Sequence, residues 1–170
     1  GVAVRDAEGR LILLSGNQTG ALMAWYRVAT HFQLGLLNDD NKARAVLVKT
    51  FVTSGLQDQI AIQNGLPVTN TLTGFKWIGG KQLKYERLLP PEIQARYRSL
   101  SVAEAREAHL QHGRFYVFGG EESYGYLGAD FVRDKDGNMA VLMFVELAAL
   151  AASQGRTVAG LLDEIYAEYG

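Results

Sequence analysis

Cysteine is absent from the 170 residues, so neither a disulfide framework nor a thiolate metal site can form. No apolar run approaches the roughly 18 uncharged residues that a bilayer span requires. The segment Gly1-Val2-Ala3-Val4-Arg5 lacks the basic stretch and apolar core of a signal peptide. Charge of one sign is also lacking: 17 Lys and Arg face 18 Asp and Glu, which argues against a large nucleic-acid surface. That balance still leaves room for a small, local anion site. A chain that is 48% hydrophobic is not short of apolar residues, and it can offset its ordering entropy by burial. These absences lead us to expect a cytoplasmic protein with no nucleic-acid and no membrane partner, of a length that suits one globular domain. Glycine is in excess, at 19 of 170 residues, against an average of about 7%.

The order of elements suggests the layers. Residues 1–14 read as a hairpin, with Val2 and Val4 alternating, turn chemistry at Asp6-Ala7-Glu8-Gly9 and an apolar return from Leu11 to Leu14. Such a hairpin is marginal alone and is expected to belong to a sheet lying upstream. Ser15-Gly16-Asn17 reads as a break, and helical spacing runs from Ala21 to Leu36. A β-branched strand over Ala45 to Val52 precedes Ser54 and Gln57, whose spacing predicts a capping box opening a helix from about Gly55 to Asn64, closed by Gly65. A strand at Val68–Leu72 leads to Thr73-Gly74-Phe75-Lys76, which opens another helix. A charged helical stretch follows Pro90-Pro91, with Ser101 and Glu104 as a further capping box. A third strand, Phe115–Phe118, precedes Gly119-Gly120-Glu121-Glu122-Ser123-Tyr124-Gly125-Tyr126, and two helices close the chain. Strands alternating with helices predict an α/β fold, a mixed, partly parallel sheet flanked by helices in three layers. Ligand loops in such sheets lie beyond the carboxyl ends of strands, and Gly16, Gly55, Gly74, Gly119, Gly120 and Gly125 cluster at such loops or helix starts.

Among these loops, Gly119–Tyr126 carries the most chemistry. Its two carboxylates and one hydroxyl, between glycines, supply acceptors and a donor on a backbone that lets a ligand approach, which suits sugar hydroxyls. Adjacent in sequence, Glu121 and Glu122 would point opposite ways on an extended segment, so at most one faces the ligand. They do not make the opposed pair that glycoside hydrolysis needs. Thr73-Gly74-Phe75-Lys76 places a cation and free N–H groups at a helix start, a phosphate or oxyanion cradle that does not match the P-loop. Arg133-Asp134-Lys135-Asp136-Gly137 reads first as a helix-opening turn with Asp136 near the positive end of the dipole. His31, His109 and His112 form no metal set and read as surface residues.

Together the loops resemble those of the α-D-phosphohexomutases, the phosphoglucomutases and phosphomannomutases. Gly119-Gly120-Glu121-Glu122-Ser123-Tyr124-Gly125 is similar to the family's Gly-Glu-x-Ser-Gly-type sugar loop. Thr73-Gly74-Phe75-Lys76 is similar to its Thr-Gly-aromatic-Lys loop, and Phe131 to Gly137 to its Arg-Glu/Asp-Lys-Asp-Gly stretch. Leu14-Ser15-Gly16-Asn17-Gln18 and the closing Glu164–Gly170 also fit. The resemblance spans essentially the whole chain and implies the third of four domains, residues 15–170, preceded by the last hairpin of the metal-binding second domain, residues 1–14.

That resemblance implies a parent isomerase that interconverts glucose 1-phosphate and glucose 6-phosphate through a phosphoserine and glucose 1,6-bisphosphate, with Mg²⁺ held by residues upstream of Gly1. Glu121, Ser123, Thr73, Gly74, Lys76 and Arg133 would bind substrate, and Lys135 would approach the phosphate or take part in proton transfer. The partners implied are a phosphorylated hexose and the first, second and fourth domains of the same protein. Without an initiator Met, the chain reads as a piece of something longer, able to fold but inactive alone. Phosphomannomutase and a non-catalytic sugar-phosphate-binding module are the alternatives. The stretch Tyr85–Gly113 looks longer than the simplest members require and has no assigned role.

Overall fold

Periodicity in the sequence becomes six strands and seven α-helices in the computed structural model, which describes residues 1–170. The hairpin β1 (Val2–Arg5) and β2 (Leu11–Leu14) forms its own antiparallel sheet. The remaining strands are β3 (Ala45–Thr50), β4 (Val68–Thr71), β5 (Phe115–Gly120) and β6 (Tyr126–Leu127). They form one sheet in the order β4-β3-β5-β6, parallel except for β5–β6. The architecture is therefore α/β with a mixed sheet, as the alternation of elements implies.

β3 is buried at all six positions, its apolar Ala45–Val48 and the polar Lys49 and Thr50 alike. Ala45 and Leu47 enter the larger core with Gly16–Gln33 (α1), Leu56–Gln63 (α2), Gly137–Ser153 (α6) and Val158–Tyr169 (α7). Val46 and Val48 enter a smaller core on the other face, with Phe75, Ile78 and Tyr85 of α3 (Phe75–Glu86). β5 departs from strict alternation. Tyr116 opposes Val46 and Phe118 opposes Leu47, so Val117 is the extra residue of a bulge, and Val117 and Phe118 both join the larger core.

Local signals place most helix ends. Asp136 caps α6 by accepting from the Met139 N–H at 3.0 Å, and Thr157 caps α7. Ser101 and Glu104 form a reciprocal capping box at the start of α5 (Val102–His112). Between α3 and α5 lie the short α4 (Pro91–Arg96) and a 3₁₀ turn at Tyr97–Ser99. Gly65 takes φ of +79° after α2, the left-handed conformation its role as helix stop requires.

Four expectations are corrected. Ser15-Gly16-Asn17 does not break the chain: Ser15 and Gln18 cap each other, and α1 starts at Gly16, not Ala21. The Ser54–Gln57 box does not form. Ser54 Oγ accepts from the Leu56 N–H, while Gln57 is 1% exposed and lies under Gly20 of α1, where tertiary burial outweighs capping. His31 and His109 are not surface residues, because the faces of α1 and α5 that carry them pack inward; His112 is exposed. Finally, β6 follows the post-β5 loop as an edge strand too short to register as a pattern. No single helix is long and apolar enough to cross a bilayer. α6 and α7 satisfy length and composition only as a pair bent by 88°, and both contribute to the core.

Candidate functional site

Three loops converge beyond the carboxyl ends of the parallel strands: 51–55 after β3, 72–74 after β4 and 121–125 after β5. The loop after β5 is fastened on every side. Its own closure is the Glu121 N–H donating to the Gly125 carbonyl at 2.8 Å. The Tyr124 hydroxyl donates to the Leu14 carbonyl at 2.9 Å, and Tyr124 is the one non-glycine residue at positive φ. The Tyr126 hydroxyl donates to the Gly16 carbonyl at 2.7 Å. Gly16 is required here: a Cβ on it would lie 1.7 Å from the Glu122 carbonyl oxygen.

The two carboxylates of the loop do different work. Glu121 is 8% exposed, and its Oε1 accepts from the Gly74 N–H at 2.8 Å, joining the loop after β5 to the loop after β4. Gly74 meets this geometry at φ of +107°, which strains any residue with a side chain. Its amide, free by sequence, is thus committed to Glu121. The second oxygen, Oε2, faces Gly125, where a Cβ would lie 3.0 Å from it, 3.2 Å from Lys135 Cδ and 3.5 Å from Phe75 Cδ2. Glu122 turns instead to the loop after β3. Its Oε2 lies 3.1 Å from the Thr50 hydroxyl and 3.4 Å from that of Thr53.

Beneath Glu122 is a buried cation that the sequence reading passed over. Lys49 is 2% exposed; its ammonium donates to the Thr53 carbonyl at 3.0 Å and pairs with Asp58 at 3.1 Å. Asn17 of α1 accepts from the Ser54 N–H at 2.9 Å. The signal available was a lysine inside an otherwise apolar strand, followed by Thr50 and Thr53. Such a charge persists only where partners meet it.

Of the sequence candidates, Gly74 and Glu121 are in direct contact, and the Lys135 stem lies beside Glu121 over Gly125. Thr73 and Ser123 are exposed on the two loops. The exposed Lys135 ammonium is 3.3 Å from Asp134, and hydrogen bonds from the Lys135 N–H and ammonium hold the Asp134 carboxyl below its ordinary range. Arg133 pairs with Glu86 on α3. Lys76 lies 5.3 Å from the centre of the Trp77 ring and lines a groove of about 530 Å³ with Lys81 and Lys84. No three His, Asp or Glu side chains come together in a set that could hold a metal ion, so these residues do not fit Mg²⁺.

This arrangement has known counterparts. Residues 15–90 and 102–169 match the family model described as phosphoglucomutase/phosphomannomutase, alpha/beta/alpha domain III. The chain belongs to that family. A phosphoglucomutase of Staphylococcus epidermidis is 30% identical over all of this chain and 25% of its own length. A phosphopentomutase of Homo sapiens is 29% identical over 99% of the chain and 24% of its own length. A solved structure described as a putative phosphomannomutase, from Thermus thermophilus, shares the fold at a TM-score of 0.60 and 22% identity, over 99% of this chain and 30% of that one. This phosphohexomutase domain III thus spans about a quarter of the curated relatives it matches. The unmatched stretch, 91–101, holds α4 and the 3₁₀ turn of the long connection.

Proposed function

We propose that this domain recognises the sugar in a phosphoglucomutase that interconverts glucose 1-phosphate and glucose 6-phosphate through a phosphoserine and glucose 1,6-bisphosphate. The observation that carries the reading is the Glu121 carboxylate, which spends one oxygen on the Gly74 N–H and keeps the other beside Lys135. One half of the group fixes the geometry of two loops, and the other half remains an acceptor for a ligand hydroxyl. Ser123, exposed on the same loop, adds a group that both donates and accepts, which suits a sugar presented in two orientations. Thr73 stands at the facing loop, Lys135 supplies a cation for phosphate, and Lys76 and Arg133 flank the site as further candidates. In this reading residues 1–14 close a preceding metal-binding domain, consistent with β1 and β2 forming a sheet of their own. The nucleophile and the Mg²⁺ ligands then belong to other domains, and the 170 residues alone are inactive.

The relatives favour keeping a second reading in the experiment, because phosphopentomutases match the chain about as well as phosphoglucomutases do. The test is turnover by the full-length protein of glucose 1-phosphate, mannose 1-phosphate and ribose 1-phosphate, each with wild type, Glu121→Gln and Ser123→Ala. We expect glucose 1-phosphate to be preferred and kcat/KM to fall by about 10²-fold in Glu121→Gln, the scale of losing one preorganised polar contact. Preference for mannose or ribose 1-phosphate replaces the substrate. Unchanged kinetics in both variants removes sugar recognition from this loop.

A further inference from the structure

A second cavity, of about 240 Å³ and of mixed polar and apolar lining, lies at the opposite end of the sheet from the sugar loop. It is bounded by α1, the start of β5, the chain after β6 and α5, part of the long Tyr85–Gly113 connection. Phe115 and Tyr116, at the amino end of β5, line it, whereas the loop of Glu121 and Ser123 follows Gly120 at the carboxyl end. Its wall holds two guanidiniums. Arg27 is fixed by two backbone carbonyls, Gly128 at 2.8 Å and Val117 at 3.5 Å, and it has no carboxylate within ion-pair distance. Arg106 on α5 has no carboxylate partner either.

The acids nearby are already engaged. Glu146 accepts from the Tyr26 hydroxyl at 3.2 Å, and Asp130 accepts from Tyr97, whose hydroxyl is also 2.9 Å from His109 Nε2. Tyr97 comes from the 91–101 stretch, so the part of the chain that departs from the family match fixes one side of this cavity. His31 Nδ1 donates to the Arg27 carbonyl at 2.6 Å, which leaves Nε2 as the acceptor of a neutral ring. Burial and the two arginines keep it neutral by pushing the imidazole down to about 4. Leu34 and Phe131, both exposed, form an apolar rim.

The one carboxylate in the cavity wall, Asp130, is bonded to Tyr97 and pairs with neither arginine, and two cations left without a partner are costly unless something anionic joins them. Planar guanidiniums suit a tetrahedral oxyanion, and a neutral imidazole nitrogen suits the remaining P–OH of a monoanion. We propose that this cavity binds a small phosphate monoester, its phosphate on Arg27, Arg106 and His31 and its organic part against the Leu34–Phe131 rim. The site stands apart from the sugar loop and gives the long connection a role in ligand binding.

The experiment labels histidine imidazoles with ¹⁵N in the full-length protein and titrates inorganic phosphate and phenyl phosphate. The His31 signal should shift saturably with phenyl phosphate, about 10-fold tighter than with inorganic phosphate because the rim adds apolar contact. Arg106→Gln, on the outer wall, should weaken that binding at least about 10-fold, while Glu121→Ala leaves it unchanged. Arg27→Lys, which keeps the charge but loses the planar fork, provides a second arm and should also weaken it. No saturable shift in wild type, or an equal response in Arg106→Gln, overturns the site. Equal affinity for the two probes overturns the monoester assignment.

Discussion

Replacing Gly16 with alanine tests how rigidly the loop after β5 is held. The new Cβ would sit 1.7 Å from the Glu122 carbonyl oxygen, 2.7 Å from its carbon and 3.2 Å from the Tyr124 amide nitrogen. Ordinary contact begins at 3.4 Å, so the loop or the first turn of α1 must retreat by 1.7 Å along that line. All three atoms are backbone, and no rotamer change can relieve the clash. The same displacement pulls on the Tyr126–Gly16 and Tyr124–Leu14 hydrogen bonds, which anchor the loop at its far end. Overpacking of this kind costs about 1–3 kcal/mol, and a reacting geometry displaced by about 1 Å loses on the order of 10² in rate. Gly16→Ala in the full-length protein should therefore lower the apparent Tm by several degrees and kcat/KM by about 10²-fold in a coupled mutase assay. Gly80→Ala is the control. Nothing lies within 4 Å of a Cβ there, the position is inside α3, and alanine should add about 0.5–1 kcal/mol of stability. A Gly16→Ala protein with wild-type Tm and kcat/KM would refute the claim that loop position is set by this contact.

Lys49→Met leaves Asp58 without its partner; that carboxylate is 24% exposed and can rehydrate, so denaturant unfolding should show a loss near the lower end of about 3–5 kcal/mol. Adding Asp58→Asn should restore part of it, and a double variant no better than the single removes the pairing as the cause. His31 gives a pH signature. Its folded value, about 4, lies below the ordinary 6.5, so the unfolded chain binds the extra proton first. The contribution is fully present above pH 6.5 and is lost as pH falls toward 4, by about 3 kcal/mol in all. Urea midpoints measured between pH 7.5 and 4.5 should show that slope, and His31→Gln should flatten it. Ser101→Ala removes the capping box of α5 and should cost about 1 kcal/mol in the same urea assay; no change means that packing, not capping, sets that helix start.

Where structure depended on local chemistry, the sequence was legible. Ser101 with Glu104, Asp136 before α6 and Gly65 after α2 act within a few residues of themselves, so their roles follow from spacing. The alternation of strands and helices likewise implied the layers. What escaped was decided across the fold. Ser54 with Gln57 has the spacing of a capping box, but Gln57 is claimed by the underside of α1. His31 lies in an apolar-patterned helix and His109 in a charged one, and both are buried because their faces meet β5 and the chain after β6. The Gly74 amide looked free because its acceptor, Glu121, lies 47 residues away.

The same division explains how this site can be both polar and firm. Glu121 and Glu122 are sequence neighbours, yet one is bonded to the loop after β4 and the other to Thr50 at the end of β3 and Thr53 beyond it. Two adjacent carboxylates that each satisfy a different loop fix the segment between three strand ends at once. A hydrophobic side chain at Glu121 could pack there but would leave the Gly74 N–H without its acceptor, at about 1–3 kcal/mol. A buried lysine below, paired to Asp58, supplies a positive charge beneath Glu122 at the end of β3. Rigidity here therefore rests on a satisfied polar network rather than on apolar packing, and that leaves Glu121 Oε2 and the Ser123 hydroxyl as the groups available to a ligand. If Glu121 serves as strut and acceptor together, Glu121→Gln and Glu121→Ala should separate the two. Glutamine keeps a carbonyl oxygen for Gly74 and should retain the stability of the loop while losing substrate affinity, whereas alanine should lose both; equal stability losses in the two variants would assign Glu121 to structure alone.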